Sequence, residues 1–364
     1  MYSDNDLERA VAAGALTPEA AGALRRFVAE QSVGPVADEE QFRLISGFND
    51  IFVAIASALL LTALAWIGYE IGPRIPNGPS LMSGLLVAAA AWGLAEFFTR
   101  RRRMALPSIL LLLAFAGGVL FTAMVALVFA VGEATIDQSP STAAFLFAIA
   151  AAIAGIATWA HWRRFRVPIT IAAGAAAAGG VVLALIASAV SEAPAFRDIM
   201  FAGMFVLGLA VFAFAMRWDA SDRERTTRRS DVAFWLHLLA APLIVHPVFH
   251  ALGVLDNNVS MGSAIVVVLL YIVLAIVALA VDRRALMVSA LAYVLYALSA
   301  LFRELGAVGL NVALTALVIG SALLLLSAFW HNARALIVER LPYRLANKVP
   351  PAHETGLAVQ AQTA

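Results

Sequence analysis

Ten long apolar runs divide this chain into eleven polar segments, and this division constrains the fold more than any other feature of the sequence. A helix that crosses the hydrocarbon core of a bilayer needs about 20 mostly apolar residues. Because no water is available in that core, each run must satisfy its backbone groups internally as a helix. The predicted class is therefore an all-α, polytopic transmembrane bundle. The predicted spans are 51–69, 81–98, 109–132, 142–160, 168–190, 199–216, 233–254, 264–281, 286–302 and 307–329.

The division between the eighth and ninth spans depends on three residues. Only Asp282, Arg283 and Arg284 interrupt an apolar stretch that runs from 264 to 302. That stretch is too long for one membrane-crossing helix, so we place a connection at these three charges.

The composition excludes several classes of protein. Hydrophobic residues make up 62% of the chain and charged residues 13%, whereas a water-soluble domain carries roughly 25% charged residues. Lipid must therefore cover the apolar surface, and the bilayer is the first expected partner. The absence of cysteine excludes disulfides, thiolate metal sites and cysteine nucleophiles. The net charge of +1 provides no basic field for nucleic acid.

The basic residues predict the orientation of the spans. Of the 25 Lys and Arg residues, 22 lie in the two termini and in every second connecting segment. Only Arg74, Arg197 and Arg303 lie in the other connecting segments. Basic segments stay on the cytoplasmic side during insertion. We therefore expect a multi-pass membrane protein with both termini in the cytoplasm.

Three regions are predicted along the chain: a cytoplasmic helical hairpin at 1–48, the ten-span domain at 49–330 and a cytoplasmic tail at 331–364. In the hairpin, Gly14 suits the end of a first helix. Thr17 and Pro18 suit the N-cap and first turn of a second helix, which continues to Phe27 and Val28. A unit this small holds no core of its own, so we expect it to pack on a cytoplasmic protein partner or on the cytoplasmic loops of this chain.

Two further predictions concern the polar segments at the cytoplasmic side. The loop from Arg217 to Asp231 is expected to be a solvated connector, with a short surface helix as the alternative. In the tail, residues 332–341 are predicted to form an amphipathic surface helix, with Leu336, Ile337 and Leu341 opposite Arg334 and Arg340, ended by Pro342. Residues 349–364 have the composition of a disordered segment.

The N-terminal module resembles a known family. Leu7, Glu8 and Arg9, followed by residues 13–20 (AGALTPEA), are similar to the N-terminal helical pair of the bacterial DUF2157-type membrane proteins. In that family the pair precedes about eight to twelve spans, a layout that this chain shares. The resemblance implies a bacterial inner-membrane protein and assigns no catalytic, cofactor or metal-binding residue.

The seventh span carries the most unusual side chains. His246 and His250 are four residues apart and share one face of a helix, a spacing that suits proton transfer or a metal ion. His237 lies about 180° around the helix and joins that site only if the helix bends. Pro247 is expected to break the helix and allow the bend. In the alternative interpretation the histidines only lie near the membrane–water interface. His250 and His237 are toward opposite ends of the span, where placing a histidine costs little free energy. No third metal ligand is evident.

Two further polar residues are candidates. Glu96, four residues before Arg100, suits a structural helix pair, and its functional alternative is a carboxylate facing a cytoplasmic vestibule. Asn311 near the start of the tenth span suits an interhelical hydrogen bond.

Three functions remain open from the sequence. The first is a membrane scaffold or regulatory protein, which fits spans without central charges. The second is a small-solute or lipid transporter that uses the seventh span with His246 and His250. An intramembrane enzyme is the poorest fit, because nucleotide-binding, nucleophile-elbow and metalloprotease motifs are missing. We therefore expect no catalytic residue, cofactor or metal; a second copy of the chain is a further candidate partner.

Overall fold

The computed structural model describes residues 10–14, 16–24, 48–75, 78–223, 225, 227–253, 261–304, 309–346 and 349–350. The chain forms two compact units, 1–44 and 45–364.

The described part of the first unit contains helical residues 10–12 and 18–24. Gly14 follows the first of these with a φ of +69°, a conformation that costs glycine little. The Thr17 hydroxyl oxygen accepts a hydrogen bond from the backbone N–H of Ala20 at 3.2 Å, which is the geometry of an N-cap. The predicted helix end and N-cap are thus observed, whereas Phe27 and Val28 lie outside the described residues.

The second unit contains ten helices that are long and apolar enough to cross a membrane. They are α1 Phe48–Ile71, α2 Leu81–Arg101, α3 Ala105–Val131, α4 Pro140–Phe165, α5 Ile169–Val190, α6 Phe196–Ala220, α7 Arg228–Ala251, α8 Met261–Val281, α9 Ala285–Glu304 and α10 Asn311–Ala328. Shorter helices cover Glu133–Gln138, Trp330–Val338 and Tyr343–Ala346. Each predicted span falls on one of the ten helices, so the all-α prediction is confirmed. The described residues contain no strand beyond an isolated bridge between Arg74 and Ser80.

Polar caps begin several of these helices, as the sequence requires. Ser80 caps α2 by accepting from the Met82 backbone N–H, and Thr227 caps α7 in the same way through Arg229. Ser139 caps α4, and Pro140 occupies its first turn, where proline has no backbone N–H that would need an acceptor. Each cap satisfies a backbone donor that the helix itself leaves unpaired.

The α8–α9 connection is a tight turn at Asp282–Arg284. Asp282 adopts a left-handed φ of +60°, and the Arg283 backbone N–H donates to the Ala278 carbonyl at 2.8 Å. The turn ends α8 and reverses the chain directly into α9. The division that rested on three charged residues is therefore confirmed.

Helix α7 is the central helix of the bundle. Half of its span is buried inside the protein, more than for any other of the ten. Its packed neighbours are α5, α6 and α9. One apolar cluster includes Leu236 with Val211 of α6, and another includes Phe249 with Val294 of α9. The three histidines of α7 therefore pack against protein side chains.

Glycine allows a close crossing of α2 and α3. Gly84 of α2 and Gly118 of α3 face each other, so that a Cβ built on Gly118 would lie 2.8 Å from the Gly84 carbonyl oxygen. Real Cβ atoms do not approach so closely, so any larger residue would force the two helices apart. This contact fixes α2 against α3.

The connections α2–α3, α4–α5, α6–α7 and α8–α9 lie at one end of the bundle. We call it the basic end, because these connections carry most of the arginines between the helices. The C-terminal segment, residues 330–346 and 349–350, also belongs to this end.

Candidate functional site: a buried ionic cluster

The first half of the cluster is centred on Asp219, the next-to-last residue of α6. Its side chain is fully buried and has two charged or polar neighbours. His237 Nε2 lies 2.8 Å from one carboxylate oxygen, and the Arg283 guanidinium donates to both oxygens. Arg283 also donates to the Ser230 carbonyl at 3.1 Å. The group therefore joins α6, α7 and the α8–α9 turn.

The second half is centred on Asp282, the neighbour of Arg283. Arg225 Nη1 donates to Asp282 Oδ2 at 2.8 Å, and Trp330 Nε1 donates to Oδ1 at 2.7 Å. Arg334 Nε lies 3.6 Å from Oδ1. Asp282 thus connects the α6–α7 loop to the helix Trp330–Val338. Asp219 binds Arg283, and Arg283 directly follows Asp282 in the α8–α9 turn. The two halves therefore form one network.

The end of the described chain closes over this network. Arg334 Nη2 donates to the Pro350 carbonyl at 2.6 Å, and Arg223 donates to the carbonyls of Val349 at 3.2 Å and Ala346 at 3.5 Å. Arg334 is 3% exposed and Trp330 is 2% exposed. These contacts tie the C-terminal segment to the α6–α7 loop and the α8–α9 turn.

Two predictions for this region are wrong. The helix Trp330–Val338 does not place Arg334 toward solvent: Arg334 is buried, and Leu336 is 53% exposed. The segment 217–231 is not simply a solvated connector, since Asp219 is buried. The physical reason is the same in both cases. An opposite charge buried in the bundle attracts the polar face inward, and hydrophobicity alone does not reveal that charge.

The arrangement is suited to holding elements together. A buried carboxylate is tolerated when cations and hydrogen-bond donors occupy its oxygens, as they do at Asp219 and Asp282. His237 contributes one ring nitrogen to Asp219, while its Nδ1 is buried without a partner among the described residues. No described group of three His, Cys, Asp or Glu side chains is placed to hold a metal ion.

His237 is the one sequence candidate in this cluster. Sequence reasoning missed Asp219, Arg225, Asp282 and Arg283 as site residues. The available signal was the charged triplet 282–284 inside an apolar stretch, which we used only to divide two spans. Charges that interrupt such a stretch so briefly must find partners inside the protein.

His246 and His250 share one face of α7, on the side of the helix opposite to His237. Both rings pack on Phe201 of α6, with centroid separations of 5.6 Å and 4.0 Å. His246 Nδ1 is hydrogen-bonded to the Tyr293 hydroxyl of α9. The Nε2 atom of His250 is buried and has no partner among the described residues. His237 does not join this pair.

The predicted break in α7 is wrong. One helix runs from Arg228 to Ala251 and includes both Pro242 and Pro247. A proline in a helix removes only the hydrogen bond that its own backbone N–H would donate. The other backbone hydrogen bonds of the helix can persist. The packing of α7 on both sides keeps the helix continuous.

Glu96 and Asn311 make the structural contacts predicted for them. Glu96 pairs with Arg100 at 3.3 Å and also with Arg164 of α4, through two bonds of 2.6 and 2.9 Å. Asn311 Nδ2 donates to Ser299 Oγ of α9 at 2.8 Å. The Arg164 bond was not predicted, since it depends on the packing of α2 beside α4.

The described residues include one further buried histidine. His161 of α4 is fully buried among the rings of Trp92, Phe115 and Phe165. Its Nδ1 lies 3.5 Å from the Thr170 hydroxyl, and its Nε2 has no partner among the described residues. The sequence located His161 only at the end of an apolar run.

The fold and the cluster together define a polytopic α-helical membrane protein whose basic end is held together by buried ion pairs. No family model matches the chain, and it matches no curated protein and no solved structure.

Proposed function

We propose that this chain is a multi-pass protein of the bacterial inner membrane with its basic end and both termini in the cytoplasm. The support is the arginine distribution, because positively charged segments are retained on that side. The resemblance of residues 7–20 to the N-terminal pair of the DUF2157-type proteins favours the same location.

We infer further that the protein is a membrane scaffold or regulatory protein. The buried ionic cluster carries this inference, since it joins α6, α7, the α8–α9 turn and the C-terminal segment. Separating a buried ion pair exposes an uncompensated charge and costs about 3–5 kcal/mol. A basic end held in this way favours a fixed platform over a face that opens and closes during transport.

The positions of the acidic residues support the same inference. Within the ten described helices, every Asp and Glu lies in the first four or last six residues. Ion-coupled pumps generally use acidic side chains near the middle of the membrane. These helices provide none there.

The partner in this proposal is a cytoplasmic protein bound by the N-terminal module. In that module, Thr17, Pro18, Glu19 and Ala20 are exposed at the start of the second helix. A short helical pair gains stability by burying surface against another protein. These exposed positions are where we expect contact.

The experiment is photo-cross-linking in living cells. A photoreactive amino acid replaces Glu19 in the full chain, and the matched control replaces Glu192, which is exposed in the α5–α6 connection. We expect a discrete adduct at position 19, identified by mass spectrometry as a cytoplasmic protein, and none at position 192. An adduct consisting of two copies of this chain would assign the contact to a homo-oligomer instead. Equal labelling at both positions, or none at position 19, would contradict the proposal.

The second candidate function is a small-solute or lipid transporter. The observation that favours it is the buried Nε2 atom of His250, which has no hydrogen-bond partner among the described residues and lies one helical turn from His246. The ring nitrogens of neighbouring histidines can accept and donate a proton, which suits proton-linked transport.

Vesicles that contain a trapped pH-sensitive dye test this second function. If it is right, an imposed pH gradient decays faster in vesicles with the protein than in protein-free vesicles. Both His246→Ala and His250→Ala should remove the difference, and the exposed His331→Ala should not. A decay that is identical with and without the protein would count against proton-linked transport.

A further inference from the structure

A trench lies on the surface of the bundle between α8, α9 and α10. It encloses about 160 Å³, and its walls come from Tyr271 of α8, Met287, Val288 and Leu291 of α9, and Leu323 and Leu326 of α10. The trench is open because α10 is loosely packed: only 6% of its span is buried, the least of the ten helices. Its walls offer almost entirely apolar contacts.

The trench reaches from the basic end to about the middle of the bundle. Arg284 and Trp330 line it at the basic end, and Tyr271 lies ten residues before the end of α8. Ten helical residues correspond to about 15 Å. This is about half of a hydrocarbon core of about 30 Å, the depth of one leaflet.

Arg284 places a positive charge at the mouth of the trench. Its side chain is exposed, and its guanidinium lies 4.8 Å from the centre of the Trp330 ring. The Trp330 ring is itself held by its hydrogen bond to Asp282. Among the described residues no carboxylate forms an ion pair with Arg284, in contrast to the neighbouring Arg283. Stacking on Trp330 positions the guanidinium and leaves its N–H groups available.

We propose that this trench binds one anionic phospholipid, with the headgroup phosphate on Arg284 and an acyl chain along the apolar walls. A planar guanidinium binds phosphate oxygens through two parallel hydrogen bonds. A free phosphate ion would make no contact with the apolar walls, and a neutral lipid would leave the charge of Arg284 uncompensated. Only a molecule with both parts complements the site. This lipid site is independent of the partner docking proposed above.

The test is native mass spectrometry of the full chain, purified from micelles that contain equal amounts of phosphatidylglycerol and phosphatidylcholine. We expect the wild-type protein to retain phosphatidylglycerol preferentially. Arg284→Gln should lower this preference about tenfold, the effect of losing one charge-assisted contact. Arg340→Gln is the control, because Arg340 is an exposed arginine in the C-terminal segment, outside the trench. Equal preferences in Arg284→Gln and wild type would overturn the proposal.

A second pair of variants tests the apolar walls. Ser327 lines the trench, whereas Ser321 is exposed elsewhere on the same helix. Ser327→Trp should fill the trench and reduce the retained lipid, whereas Ser321→Trp should leave it unchanged. If Ser327→Trp unfolds in neutral lipid, the Arg284→Gln result decides alone. A lipid-free dimer that Ser327→Trp dissociates would assign the trench to a second copy of the chain and overturn the lipid proposal.

Discussion

At the scale of single residues, the two aspartates of the cluster differ from the exposed Glu70 in their surroundings. Asp219 and Asp282 are 1% and 5% exposed, and each is paired with arginine. Glu70, by contrast, forms its pair with Arg74 in an exposed position. Solvent screens an exposed pair, whereas a buried cation left without its carboxylate has no water to replace it.

Asp219→Asn should therefore destabilise the protein strongly. It keeps the shape of the side chain and removes the charge that compensates Arg283, and we expect a loss of about 3 kcal/mol in the free energy of unfolding. Denaturant titration in mixed micelles measures this loss. Glu70→Gln makes the same chemical change in an exposed pair and should have a much smaller effect. Similar losses in the two variants would show that the buried pair adds no more stability than the exposed one.

Trp330→Phe isolates one hydrogen bond of the cluster. The substitution keeps a large ring and removes the N–H that donates to Asp282, and we expect a loss of about 1.5–3 kcal/mol because the acceptor is charged and buried. Trp159→Phe is the control, since Trp159 is 60% exposed. An unchanged unfolding midpoint for Trp330→Phe would mean that Asp282 does not depend on this donor.

At the scale of elements, close helix approach is decided at single glycine positions. Gly117 and Gly118 are neighbours in α3, yet only Gly118 meets α2; a Cβ on Gly117 would contact nothing within 4 Å. The sequence shows two adjacent glycines and does not say which one faces the partner helix. The rotation of α3 about its axis decides this.

Gly118→Ala and Gly117→Ala should therefore have opposite outcomes. The added methyl at 118 meets the backbone of Gly84 and Ala88, and we expect a loss of about 1–3 kcal/mol from overpacking. At 117 the methyl meets no neighbour, and the gain in helix propensity leaves stability unchanged or slightly raised. Thermal unfolding of both variants in the same detergent provides the comparison. Equal unfolding temperatures would refute the close crossing.

At the scale of the whole molecule, the orientation in the membrane is the property on which the proposed function depends. The chain contains no cysteine, so a single introduced cysteine reports its position without background. Glu192 and Ser221 are exposed in the α5–α6 and α6–α7 connections, which lie at opposite ends of the bundle. They provide a matched pair of probes.

Glu192→Cys should react with a membrane-impermeant maleimide in spheroplasts. Ser221→Cys should react only after the inner membrane is permeabilised, because guanidinium-rich segments are retained in the cytoplasm. Gel-shift labelling measures both reactions. The reverse pattern would invert the proposed topology, and with it the cytoplasmic placement of the N-terminal module and the ionic cluster.

The sequence alone determined the number of these helices and their approximate positions, because the length and hydropathy of an apolar run are local properties that lipid selects directly. It also determined the α8–α9 division and the helix pair of Glu96 with Arg100, both of which depend on residues close together in the chain. Only the tertiary structure decided that Asp219 meets His237 and Arg283, that Asp282 receives Trp330, and that α7 remains one helix through its prolines. These contacts join residues from separate helices, so they depend on how each helix is rotated and packed, which hydropathy does not encode.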